Sequence, residues 1–458
     1  MNSRHGIELG LALFLFLCGC SPAALEVVAP SQMGGTPDTT SDSSLRYWAQ
    51  WRGPLGTGEA PLAKPPVRWS ESENLRWKAP LPGRGHASPI VWGELVFLTT
   101  ALPVGERLEL PSHDPPGAHD NAPVTHRQQF LVLAIDRSDG EVRWQRLVHE
   151  AIPHHGAHAS ASLASASPVA DGERVFAYFG SHGLYALNHQ GDVLWSKDLG
   201  LMESKHGHGE GASPALYEDT LIVNWDHQGP SFLVAFDAAS GEERWRVERD
   251  EPTSWSTPII VEHGGRAQVV VSGTERLRSH DLATGELLWE CGGLSHNIVA
   301  SPVAADGMVF AGSSYERQAL LAIRLEGAAG DLTLSDNLAW MRRRRTPYVP
   351  SPLLSNGWLY VLHHYQGTLS RIDASNGEEP AGPFRLQGID HVYASPVAAD
   401  GRIYVTSLDG NTTVLSGTAE PEVLAYNILD DTISASLALV EGEVFARGER
   451  FLYCLAAP

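Results

Sequence analysis

A Ser/Thr-Pro pair standing just before an apolar stretch recurs along the chain, at Ser88-Pro89, Ser167-Pro168, Ser213-Pro214, Thr257-Pro258, Ser301-Pro302, Ser351-Pro352 and Ser395-Pro396. An eighth copy, Ser436-Leu437, keeps the hydroxyl and loses the proline. The steps are 79, 46, 44, 44, 50, 44 and 41 residues. A period of this length marks an array whose units bury their faces only against their neighbours. Each unit has the same inner grammar. A short strand follows the pair, then an Asx-Gly turn such as Asp171-Gly172, Asp306-Gly307, Asn356-Gly357 or Asp400-Gly401. Such turns favour hairpins because Gly, Asn and Asp tolerate positive φ. A third strand runs into an acidic turn, as in Asp136 to Gly140-Glu141, Asp237 to Gly241-Glu242, Asp281 to Gly285-Glu286 and Asp373 to Gly377-Glu378. A fourth strand carries a tryptophan: Trp144, Trp195, Trp245, Trp289 or Trp340.

Four short strands in about 44 residues are one blade of a propeller. The sequence therefore predicts an all-β, eight-bladed β-propeller of four-stranded antiparallel blades. The tryptophans read as structural, each ring covering the adjacent blade while its N–H finds a backbone acceptor. The last unit has no such tryptophan, and Trp77 fits the missing strand. The N-terminal segment is thus expected to complete the eighth blade and close the ring, leaving no free edge. The long first step implies an insertion at residues 101–128, rich in Pro, Gly and His, expected as an exposed loop of the first blade.

Length alone, 458 residues, would suggest about three domains. The repeat replaces them with one monomeric ring over residues 46–458. The formal charge of −21 argues against nucleic acid, which needs a basic surface. Residues 1–19 read as a signal peptide, with Arg4 before an apolar run too short to span a membrane. The LCGC at residues 17–20 resembles a bacterial lipobox, with Cys20 as the lipidated residue. Residues 20–45 then form a Ser-, Thr-, Pro- and Gly-rich flexible tether. The address this implies is the cell envelope, lipid-anchored, with Ser21 resembling outer-membrane sorting toward the periplasm. Cys291 and Cys454 remain, as a disulfide or as two buried thiols.

The units AFDAASGEERW at residues 235–245 and HDLATGELLW at residues 280–289 resemble pyrroloquinoline-quinone-type (PQQ-like) propeller repeats. The run WRGPLGTG at residues 51–58 and LPGRGHASP at residues 81–89 are similar to envelope PQQ-like proteins of planctomycete-type bacteria. A lipid-anchored eight-bladed propeller also resembles the BamB-like envelope lipoproteins. The resemblance implies the quinoprotein alcohol dehydrogenase-like fold but not one function. Its enzymatic branch clamps a quinone with adjacent cysteines, a stacking Trp, calcium and an Asp base. This chain has no adjacent Cys pair in the repeats and no haem motif, so no quinone site can be carried over residue by residue. No catalytic residue, metal site or cofactor is expected; PQQ and calcium belong to the enzymatic alternative.

In such a ring the connections preceding each Ser/Thr-Pro pair emerge on one face around the axis. They supply His86, His206, His208, Glu210, Trp255, His296, Asn297, Tyr348, His391, Tyr393 and Asp430. Aromatic and imidazole groups offer contact area with few rotamers to freeze, which suits recognition. The competing reading is packing between blades. The only basic run, Arg342 to Arg345, reads either as a contact for an acidic partner or lipid headgroup, or as compensation for nearby carboxylates. The expected function is non-catalytic binding or scaffolding for an unidentified envelope protein, as in BamB-like assistance to outer-membrane protein assembly. Two other classes stay open: a PQQ-dependent dehydrogenase, and carbohydrate or metal capture through the His-rich face.

Overall fold

Each of the eight repeats leads into the innermost strand of a four-stranded antiparallel blade, and eight such blades follow one another along the chain, the fourth with an added parallel strand. The computed structural model describes residues 44–109, 115–363 and 366–457. The expected signal peptide, Cys20 and nearly all of the tether lie outside the described residues. Among the described residues no helix is long and apolar enough to cross a membrane.

The first blade is built from Ile90–Trp92, Leu95–Val104, Arg127–Asp136 and Val142–Ala151. Blades two to seven begin at Val169, Ala215, Ile259, Val303, Leu353 and Val397. The eighth contains Ala438–Val440, Glu443–Arg447 and Phe451–Ala456, and its outer strand is Leu75–Pro80 from the N-terminal side. Trp77 there lies opposite Cys454. The ring is therefore closed by pairing of the two ends of the propeller. Cys291 and Cys454 are both free and buried, in blades four and eight.

The repeated hydroxyls have a role that spacing alone does not reveal. The backbone N–H of Ser88 donates to Ser167 Oγ at 2.9 Å, and that of Ser167 to Ser213 Oγ at 2.9 Å. The pattern continues through Thr257, Ser301, Ser351, Ser395 and Ser436. Ser436 N–H then donates to Ser88 Oγ at 3.0 Å. Eight bonds thus form a circuit around the axis, all between buried residues. Each innermost strand has a free inner side, and a neighbouring hydroxyl satisfies a donor that no strand can reach. A following proline adds no further N–H to satisfy.

The tryptophans tie the outer rim. Trp77, Trp144, Trp195, Trp245 and Trp340 donate their indole N–H to Arg137, His189, Ala238, Leu282 and Ala374 carbonyls in the next blade. Each ring covers the turn glycine there: Gly140, Gly191, Gly241, Gly285 or Gly377. Those glycines have φ between +72° and +86°. A Cβ on any of them would approach the indole to 2.6–2.7 Å. Trp289 departs from this pattern and donates to Gln268 Oε1 in its own blade. The acidic turn that it would cover is replaced by a segment whose Gly330–Asp331 pairs in parallel beside Trp289 and Glu290.

Blade seven has Ala425 where six of the other blades carry the tryptophan, opposite Val414. Trp69 fills the gap from the N-terminal segment, stacking on Tyr404 at 6.1 Å. Asn427 secures it, its Oδ1 accepting the Trp69 backbone N–H and its Nδ2 donating to the Val67 carbonyl.

Among its described residues, the insertion in blade one is more than an exposed loop. Its flanks lengthen two strands, and Asn121–Ala122 pairs antiparallel with Ala157–His158 in the connection to blade two.

Candidate functional site: the axial cavity

The circuit of hydroxyls surrounds the axis, and residues 48–60 run beneath it. Trp48 O accepts from Val91 N–H and Ala49 O from Ala170 N–H, in blades one and two. Further along, Leu354 N–H donates to Thr57 O, while Ala60 and Ala398 bond across blade seven. This segment crosses from blades one and two to blades six and seven. Arg52 holds it there, its buried guanidinium donating to the carbonyls of Pro352, Pro396 and Thr57. No carboxylate accompanies it, and burial pulls its pKa down to about 9. The glycines of the WRGPLGTG run follow from this packing. Gly53 and Gly58 take φ of +75° and +91°, pressed against Trp48 and the Arg52 guanidinium.

Above this segment lies a cavity of about 330 Å³. Trp51 lines it from the crossing segment, residues 48–60, and Ser88, Ser167, Ser213, Thr257, Ser395 and Ser436 line it from the hydroxyl circuit. Of the residues singled out in the sequence, it gathers His86, His206, His208, Trp255, Asn297, Tyr348 and Tyr393. Trp255 spends its N–H on the Gly209 carbonyl at 2.8 Å, so what it offers to the cavity is ring surface. Tyr348 stacks on Tyr315, with centroids 5.8 Å apart and planes within 17°. Asn297 Oδ1 accepts from the Lys205 ammonium.

One wall is imidazole. His119 lies 5.3 Å from His206 and 4.7 Å from His208 between ring centroids, and His158 lies 5.0 Å from His208. Three separate segments supply these rings, and backbone bonds tie them together. Asn121 Nδ2 donates to the His206 and Gly207 carbonyls, and His158 N–H donates to His208 O. His206 itself is left-handed at φ +57°, followed by Gly207 at +65° and Gly209 at +94°. A non-glycine residue in that region costs on the order of 1–3 kcal/mol and persists only where its surroundings over-determine it. Burial, with His158, His119 and His206 as neighbours, pulls the His208 imidazole down to about pKa 4. No group of three His, Cys, Asp or Glu among the described residues is arranged to hold a metal ion.

Four candidates lie elsewhere. Glu210 turns into a separate recess with His154 and His182, where its carboxylate accepts the N–H and Oγ of Ser181 at 2.6 Å each. Burial holds that carboxyl above its ordinary pKa. His296 is exposed and faces Glu275 and Glu316 at 3.4 and 3.8 Å. His391 is exposed, and its carbonyl accepts from Leu408 N–H. Asp430, from the same set of connections, is also exposed, its N–H donating to Glu71. In the arginine run, Arg342 and Arg345 both bond Glu379 of the next blade at 2.8 Å, an inter-blade latch.

The lining also includes Trp51, His119, His158 and Tyr315, which are not among the connection residues named from the sequence. His119 belongs to the insertion, whose histidine content was its only signal.

The cavity contains no Asp, Glu, Lys or Arg in its lining, although the chain carries 87 such residues. Pyrroloquinoline quinone bears three carboxylates and is bound with calcium, which demands cationic partners and carboxylate ligands. The residues present here do not fit that group.

Two overlapping stretches, residues 67–200 and 128–380, match the family described as outer membrane protein assembly factor BamB. No curated protein sequence is significantly similar to this chain. Among solved structures, BamB from Moraxella catarrhalis superposes with a TM-score of 0.53 at 14% identity, over 78% of this chain and all of that one. A europium-containing methanol dehydrogenase gives 0.57 at 10% identity, over 88% and 89% of the two chains. Quinohemoprotein alcohol dehydrogenase ADHIIG from Pseudomonas putida HK5 gives 0.54 at 11%, over 92% and 82%. At these identities the structural likeness is one of fold. The family match spans well over half of the chain and coincides with the blade repeat, and the chain belongs to the BamB family of PQQ-like β-propellers.

Proposed function

We propose that this protein is a non-catalytic binding propeller of the cell envelope, anchored by lipid at Cys20 and engaging an envelope protein partner through its axial face. BamB-like assistance in outer-membrane protein assembly is the role the family match supports. The observation that carries the reading is the cavity lining, which combines aromatic, imidazole and hydroxyl groups without an Asp, Glu, Lys or Arg. Such a surface recognises by shape and hydrogen bonding. It lacks the cation and carboxylates that a quinone with calcium would need.

The test is partner capture. Trp255, Tyr348 and Tyr393 are replaced together by Ala, and cross-linked partners are recovered from native membranes and identified by mass spectrometry. Loss of the wild-type partners, with an unchanged melting profile, is the expected result. Unchanged capture would remove the axial face from the reading. An absorption spectrum of the purified protein with PQQ and Ca²⁺ tests the enzymatic alternative, and dye-linked dehydrogenase activity would overturn the non-catalytic role.

A further inference from the structure

The chemistry of the cavity narrows what can occupy it. Its ring surfaces come from Trp51, Trp255, Tyr315, Tyr348 and Tyr393. Its hydrogen-bonding groups are hydroxyls, imidazoles and one carboxamide. An anion would enter against the field of a chain with a net charge of −21, and no lysine or arginine lines the cavity to receive it. A cation would find no carboxylate there. A wholly apolar ligand would strip water from the hydroxyl circuit without replacing its hydrogen bonds.

The circuit has a further property. Each of its oxygens accepts a backbone N–H from the preceding blade, so the hydroxyl proton remains to be donated. Six of these hydroxyls line the cavity. The Asn297 amide is oriented by Lys205, which occupies its oxygen and leaves its NH₂ as a donor. The base and one side thus offer several donors at close spacing, while the aromatic walls offer flat apolar faces. A ligand matching both has many oxygen acceptors, no charge and an apolar C–H face.

We propose that the axial cavity binds a neutral saccharide, with sugar C–H faces against Trp255 and the Tyr315–Tyr348 stack and sugar oxygens over the hydroxyl circuit. A volume of about 330 Å³ suits one or two hexose rings and lies at the small end of ligand pockets. The inference rests on the reading of the axial face as the binding face and adds the chemistry of its centre. A glycan carried by the envelope partner or a free sugar would satisfy the same groups.

The full chain is titrated calorimetrically with cellobiose, maltose and N,N′-diacetylchitobiose, with glucuronic acid as the charged comparison. Saturable binding of at least one neutral disaccharide is expected, with glucuronic acid weaker by at least about tenfold. Trp255→Ala and, separately, Asn297→Ala should each weaken the neutral sugar by about tenfold or more. Using both variants keeps the test valid if one of them folds poorly. No binding by any of the three neutral sugars overturns the inference, as does equal binding by both variants or preference for glucuronic acid. If sugars fail while the Trp255, Tyr348 and Tyr393 triple variant still loses its partner, only the saccharide is lost. If both fail, the axial face is not the binding face. Partner capture that is lost when cellobiose or maltose is present before cross-linking would identify the partner's glycan as the source.

Discussion

At the head of each innermost strand, a side-chain hydroxyl accepts the N–H of the preceding blade where no carbonyl is available. Thr257 performs this as well as serine does, so the requirement is for the oxygen alone. Ser213→Ala would leave the Ser167 N–H buried and unpaired, at a cost of about 1–3 kcal/mol. Ser213→Thr should retain most of the lost stability. Urea unfolding midpoints at constant slope would read both effects. His208 makes a second residue-scale prediction. Its imidazole titrates at the ordinary value of 6.5 when unfolded and at about 4 in the fold, because burial and three neighbouring imidazoles oppose its charge. The neutral form is the one the fold accepts, so this contribution is complete above about pH 6.5 and is lost as pH falls toward 4. His208→Asn should flatten the fall of Tm between pH 7 and 4.5 relative to wild type; an identical slope would assign the acid sensitivity elsewhere. Much of the cavity was visible in the sequence as the residues preceding each Ser/Thr-Pro pair. Glu210 escaped that rule because Ser181 offers its carboxylate two donors in another recess, where Gly180 leaves room for it. Trp51 and His119 escaped it because they arrive from outside the repeat.

Among the elements, the acidic turn and the closing tryptophan are one device. The turn needs a left-handed residue, and the indole of the preceding blade needs that residue to have no side chain. These two demands can be separated. Gly241 and Gly357 have φ of +72° and +76°, but only Gly241 lies beneath a ring. Gly357→Ala should cost only the backbone strain, about 1 kcal/mol. Gly241→Ala must in addition displace Trp195 and its bond to Ala238, and should cost at least about 1 kcal/mol more. Equal melting temperatures for the two variants would refute the coupling. This grammar was legible because it repeats at fixed spacing. Trp69 was not, since it reaches blade seven from a distant part of the chain and replaces a residue that the repeat merely lacks. The pairing of the insertion with residues 157–158 was hidden for the same reason: two residues on each side carry no periodic signal.

For the whole molecule, closure depends on a strand that joins the last blade from the opposite end of the propeller. Leu75–Pro80 pairs along Phe451–Ala456, brings Trp77 over Gly140, and places Arg76 beside Glu443. Arg137 of blade one reaches across the same seam to Glu441 and Glu443, and its guanidinium is nearly buried. The seam therefore joins backbone pairing, an indole contact and a partly buried ion cluster in one place. Deleting residues 70–82 exposes the edge of Phe451–Ala456, uncovers Gly140 and leaves Trp69's stack on Tyr404 tethered from one side only. Losses of more than about 4–5 kcal/mol are exceptional for single substitutions, and a deletion that removes several such contacts together should exceed them. Deleting residues 21–43 removes none of these contacts and should leave the calorimetric transition where it is. The ring should respond as a unit, because a propeller that opens at one seam exposes two blade faces at once. A deletion of residues 70–82 that melted with the wild-type protein would mean that seven blades and a three-stranded eighth hold the ring without the seam.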